Sequence, residues 1–166
     1  MTDTAEPSSL SAVERYLHDH IPLSRHLGAR VTAAGHDAVR ISAPLEPNLN
    51  HRGTAFGGSI SALAILSGWT WLFVNLQQDG FQGRIVIQSN TMDYVAPGEG
   101  EFTATCRAPT AERWTLLREM LRERGRGRIE LDADVTVGDR LIATFHGRYV
   151  AVSTARSRPG DGSVIA

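Results

Sequence analysis

An α+β fold, in which an antiparallel sheet wraps one long central apolar helix, is predicted by three observations. Gly53 to Gln78 runs without a single charge. Several other segments alternate apolar and polar residues at the strand period of two. Turn pairs such as Gly138-Asp139 stand between them. Alternating strands give a sheet with one dry face, and a helix that is apolar all round needs cover on every side. Each supplies what the other lacks. The uncharged stretch is also long enough to span a bilayer, but the strands elsewhere in the chain are sufficient to enclose it, so no membrane partner is expected.

In chain order, Ser11 to His18 reads as a short surface helix stopped by Pro22. Arg30 to Ala34 and Ala38 to Ser42 flank Gly35-His36-Asp37 and read as a hairpin. The apolar helix follows, with Gly57, Ser61, Ala64 and Gly68 as a stripe of small residues that would let a curved sheet come close. Arg84 to Val95 is a longer strand, with Asp93 expected on the face of Ile85, Ile87 and Ser89. Glu101 to Ala108 alternates cleanly, with Phe102, Ala104, Cys106 and Ala108 on its dry side. Glu112 to Arg124 is an amphipathic crossing with Trp114, Leu117 and Leu121 on one side. Arg128 to Val137 and Arg140 to Val152 form the last pair, the latter with Leu141, Ala143, Phe145 and Tyr149 expected inward. The chain divides into an N-terminal extension (1–20), one domain (21–152) and a flexible tail (153–166) rich in Ser, Gly, Pro and Arg.

Composition removes several function classes. A formal charge of -1 gives no global pull toward nucleic acid or anionic lipid. Every basic residue is Arg, so Schiff-base chemistry and a Walker-type phosphate lysine are both absent. The lone Cys106 can close no internal disulfide, and the start MTDTAEPSSLS lacks the basic and apolar regions of a secretion signal. A cytoplasmic location is expected. His18, His20, His26, His36 and His146 show no metal-ligand spacing, so no metal and no separate cofactor are expected.

Chemistry concentrates in Asn48 to Ser59, where a polar loop meets the start of the helix. Paired Gly57 and Gly58 would let a ligand approach free backbone N–H groups, and the helix dipole puts about half a positive charge there. A carbonyl oxygen becoming an oxyanion is stabilised by such donors. Tight packing with Ser59 as an N-cap explains the same residues without chemistry.

With Asn50, Gly53-Thr54-Ala55-Phe56-Gly57-Gly58-Ser59 and Gly68-Trp69, the chain resembles the hot-dog fold, and more narrowly the thioesterase family named for the C-terminal domain of YiiD-type proteins. Ile21-Pro22-Leu23 and Tyr94-Val95-Ala96-Pro97 extend the likeness over about 130 residues, from Ile21 to Val152. The resemblance implies hydrolysis of an acyl thioester on coenzyme A or acyl carrier protein. The carrier enters as part of the substrate. It also implies a homodimer, or a dimer of dimers, with sites at the subunit interface. Many hot-dog thioesterases carry a histidine before the paired glycines and an acid on the central helix. Here Phe56 takes the first place, and the next acid, Asp79, lies about 31 Å further along a helix rising 1.5 Å per residue.

The general base must then come from elsewhere. Asp93 on a partly apolar face could be desolvated and its pKa raised toward neutrality. Histidine as a residue type takes up and releases protons near neutral pH, which makes His51 the second candidate. Asn50 could orient water or the thioester, or simply form the turn. Phe56, Ser59 and Tyr94 are candidate substrate contacts, and Arg126 and Arg128 could hold carrier phosphates. Two other readings use the same loop: an acyl-thioester lyase, dehydratase or conjugate-addition catalyst, and a noncatalytic acyl-thioester binding module.

Overall fold

The computed structural model describes residues 9–154. Helix α1 (Leu10–His20) begins at Ser9, whose side chain accepts the Ala12 N–H, and ends at Ile21. Pro22 then opens a second short helix, α2 (Pro22–His26), because proline's fixed φ suits a first helical position as well as it ends the preceding helix. Strands β1 (Arg30–Ala34) and β2 (Ala38–Ala43) form the hairpin, and a 3-10 turn spans Glu46–Asn48. Helix α3 (Gly57–Gln78) is followed by β3 (Gly83–Tyr94), β4 (Phe102–Arg107), α4 (Ala111–Arg124), β5 (Arg126–Val137) and β6 (Arg140–Ser153). The strands form one antiparallel sheet in the order β1-β2-β4-β5-β6-β3. The tail from residue 155 lies outside the described residues.

Helix α3 is long and apolar enough to cross a membrane, and 72% of its most apolar window is buried inside the protein. The stripe of small residues works in part as expected. Tyr149 of β6 reaches across to donate to Ile65 O at 2.8 Å, and a Cβ at Gly68 would sit 2.4 Å from that hydroxyl. Ala64 and Gly68 are buried, while Gly58 is exposed and Ser61, Ala62 and Ile65 are half-buried. Along the second half of α3, Tyr16 stacks on Phe73 at 4.3 Å and Phe73 on Trp69 at 5.1 Å, so α1 roofs that half.

The expected surface helix is therefore part of the domain: Val13 and Leu17 are buried. One turn apart on the same helix, Glu14 accepts the Val31 N–H at 2.8 Å and His18 Nε2 donates to Ala29 O at 2.9 Å. Both bonds go to the backbone at β1, so α1 occupies the place a further strand would take.

Two irregularities change which side chains face inward. Between Ile87 and Ser89 the β3 register slips by one residue against β6. Beyond that bulge Ser89, Thr91 and Asp93 stand opposite Arg148, His146 and Thr144, while Asn90, Met92 and Tyr94 stand opposite Gly147, Phe145 and Ala143. A one-residue slip turns every later side chain to the other face. Asp93 thus leaves the face of Ile85 and Ile87. On β6 the slip falls at Ile142, which is buried, and Leu141, expected inward, is exposed.

Candidate active site at the tip of the central helix

The loop before α3 is held by two asparagines. Asn48, 3% exposed, donates from its amide to Leu27 O at 2.9 Å and Pro44 O at 2.8 Å, and its backbone oxygen accepts the Phe56 N–H at 2.7 Å. Asn50 binds the turn itself. Its Oδ1 accepts from the amides of Arg52 and Thr54, and its Nδ2 donates to Thr54 Oγ1 and Ala55 O. With all these bonds made inside the loop, Asn50 is a turn residue, the role Asn fills when its side chain replaces a backbone bond. Gly53 supplies the left-handed corner at φ 75. Ala55 N–H to Gly98 O at 2.8 Å ties the loop to the segment after β3.

The chain then enters α3 through Phe56, which is the N-cap and offers no side-chain bond. Ser59, suggested above as the cap, instead lies inside the first turn, its amide bonded to Phe56 O at 2.9 Å like that of Ile60 at 3.1 Å. The amides of Gly57 and Gly58 come earlier in that turn, where no intrahelical acceptor exists, and no protein acceptor takes them among the described residues. Gly58 is exposed. The rings of Phe56 and Tyr94, 55% and 53% exposed, border the two glycines. A Cβ at Gly58 would lie 2.3 Å from Phe56 Cε1, and one at Gly57 would lie 3.4 Å from the Tyr94 ring. Tyr94 also donates its hydroxyl to Gly57 O at 2.9 Å.

The titratable candidates are not all at this tip. His51 is an exposed residue of the loop that leads into it. Asp93 is on the outer face beside Thr144, with the sheet between it and α3. Asp79 ends α3 and pairs with Arg118 of α4 at 2.8 Å. Arg126 and Arg128 open β5 opposite Val152 and Val150, whereas the tip is level with Val135 and Ala143. Seven residues of strand separate Arg128 from that level, about 23 Å at 3.3 Å per residue. Cys106 is fully buried, and burial pushes its thiol up to about 12, which makes it inert packing.

The outer face carries a ladder of cross-strand pairs: Arg107 with Asp134, His146 with Asp132 and Arg148 with Glu130, each at 2.7 Å. The Arg148 guanidinium holds the Glu130 carboxyl below its ordinary range. No group of three or more His, Cys, Asp or Glu side chains is placed to hold a metal among the described residues.

Sequence reasoning missed two features of the site. Asn48 anchors the loop, and a buried Asn between two prolines' neighbourhoods reads in sequence only as a turn residue. Asn90 and Met92 share the inward face with Tyr94, which no alternation count could reveal because the bulge at Gln88 resets it.

A family model described as "Putative thioesterase (yiiD_Cterm)" matches residues 10–153. A crystal structure of a protein of unknown function from Chlorobaculum tepidum TLS is 27% identical with a TM-score of 0.81, covering 87% of this chain and 94% of its own. A putative thioesterase from Shewanella oneidensis is 28% identical with a TM-score of 0.78, covering 86% and 96%. A Pseudomonas aeruginosa protein of unknown function, 22% identical with a TM-score of 0.73 over 90% and 99%, shares the fold. The six-stranded sheet on a buried central helix is the hot-dog fold of these thioesterase structures.

Proposed function

This chain belongs to the thioesterase family matched over residues 10–153, and from that premise we propose that it hydrolyses an acyl thioester carried on coenzyme A or acyl carrier protein in the cytoplasm. The observation that carries the reading is the pair of unpartnered amides, Gly57 and Gly58, at the start of a 22-residue helix. The thioester oxygen accepts from these amides. Water adds to the carbonyl carbon, the negative charge that develops on oxygen is held by both N–H groups and the helix dipole, and the C–S bond then breaks. The attacking water gives up a proton to His51 or to a group of a second subunit. The leaving thiolate takes a proton, so the products are a carboxylic acid and a thiol.

The Phe56 ring flanks the carbonyl, the Tyr94 ring stands against Gly57, and Ser59 lines the first turn. The acyl chain runs along the first half of α3 past half-buried Ser61, Ala62 and Ile65. A second copy of the chain completes the site, docked through the free edge of β3. Arg126 and Arg128 could meet carrier phosphates only if that copy brings them toward the tip.

The experiment is thiol release measured over short, medium, long and aromatic acyl thioesters of both carriers. One class is expected to turn over, and Gly58→Val, which puts a branched side chain into the Phe56 ring, is expected to lose both binding and turnover. Altered acyl groups still on their carrier would point to lyase or addition chemistry. Tight binding with no turnover on any thioester would point to a binding module, the reading that the absence of an acid on α3 favours.

A further inference from the structure

The Gly57-Gly58 peptide opens α3, and neither residue has a Cβ to restrict it. Yet an oxyanion donor works only when it is aimed before the charge appears. The helix ladder fixes this plane with one bond, the Ser61 N–H onto the Gly57 carbonyl, at an end of α3 where helices fray. The carbonyl of Gly57 and the N–H of Gly58 belong to the same planar unit, so holding one end aims the other. Tyr94 adds a second bond at that end, donating its hydroxyl to Gly57 O at 2.9 Å, while its ring lies where a Gly57 Cβ would be 3.4 Å from it. The bulge between Ile87 and Ser89 is what turns Tyr94 inward to do so.

We infer that Tyr94 is a positioning residue for the Gly58 amide. It acts through the Gly57-Gly58 peptide rather than by touching the reacting carbonyl, which is a different role from that of a substrate contact. Its hydroxyl proton is committed to Gly57 O, so it is not free for the thioester. A bond to a peptide oxygen also polarises the N–H at the other end of that peptide, which strengthens Gly58 as a donor. The inference rests on the thioesterase reading for its kinetic consequence, though not for its geometric one.

The test is Tyr94→Phe in the full chain, which keeps the ring against Gly57 and removes only the hydroxyl. Two measurements are made. The residual dipolar coupling of the Gly58 N–H reports its direction without any substrate. It is expected to change in the variant while that of Ile60 does not. In turnover, kcat and kcat/KM are expected to fall together by about tenfold, less than the hundredfold or more that losing a donor outright typically costs, with KM, thermal midpoint and the shape of the pH profile unchanged.

An unchanged Gly58 coupling overturns the inference. So does unchanged kcat in an active enzyme, a rise in KM alone, which would make Tyr94 a substrate contact, or the loss of one limb of the pH profile, which would make it a proton donor. A wild-type protein that releases thiol from no thioester defeats the thioesterase reading instead, and the coupling still decides the positioning role.

Discussion

A group that takes a proton from water at the glycine tip has to stand on the concave side of the sheet. That condition separates the two titratable candidates. His51 belongs to the loop that leads into the tip, whereas Asp93 stands beside Thr144 on the outer face. Turnover by His51→Ala is therefore expected to fall by about 10²-fold, the lower range for a lost general base, while Asp93→Asn is expected to stay within about twofold of wild type. Both should keep the wild-type thermal midpoint, because both side chains are exposed. Steady-state kinetics on the preferred thioester decides it. A large loss in Asp93→Asn would mean that the carboxylate reaches a site across a subunit boundary, and full activity in His51→Ala would hand the base to another group. Chain order alone puts the glycine pair and Phe56 at one helix end, whereas Tyr94 joins them only through the fold. Asp93 was misplaced because one extra residue at Gln88 inverts the parity on which a strand's facing is counted.

Helix α3 is fixed in its sheet by a contact that belongs to two elements. Tyr149 of β6 fits over Gly68 and bonds Ile65 O, and burial pushes the Tyr149 phenol further above its ordinary range. Gly68→Val forces the helix and strand apart or leaves the buried hydroxyl without its acceptor, each worth about 1 to 3 kcal/mol. Gly35→Val, where nothing lies within 4 Å of the added Cβ and φ is not positive, is expected to cost well under that. Urea denaturation of the pair measures the difference, and equal midpoints would show that the Gly68 contact carries no weight. The same scale explains α1. Its amphipathic pattern marked it as a helix but not as a cap for the sheet, because Glu14 and His18 bond backbone groups, which carry no sequence signature.

For the molecule as a whole, the two ends of the sheet are treated differently. At β1 the edge is closed by α1. At β3 the near end is partly covered, since Trp69 Nε1 donates to Ile85 O at 3.0 Å, but among the described residues the backbone of the far end bonds only β6. Val95 N–H reaches Ile142 O, so by antiparallel alternation the amides of Asn90, Met92 and Tyr94 point away from β6. An unpaired edge of this kind is a template for another strand. The protein is expected to be a dimer at micromolar concentration, and Met92→Pro, which removes an outward N–H without removing a bond to β6, is expected to halve its mass by light scattering and to lower turnover with it. A monomeric wild type with full activity would separate the site from any partner.

The sequence by itself determined that an uncharged helix lies inside an alternating antiparallel sheet, and that a glycine pair stands at the helix's first turn, because burial period and chain order are local properties of the residues. Only the tertiary structure decided which side of β3 carries Asp93 and which carries Tyr94, how α1 closes one edge, and where Arg126 and Arg128 stand relative to the tip. Those outcomes depend on register between strands far apart in the chain, and register is set by the packing of the whole sheet rather than by any segment of it.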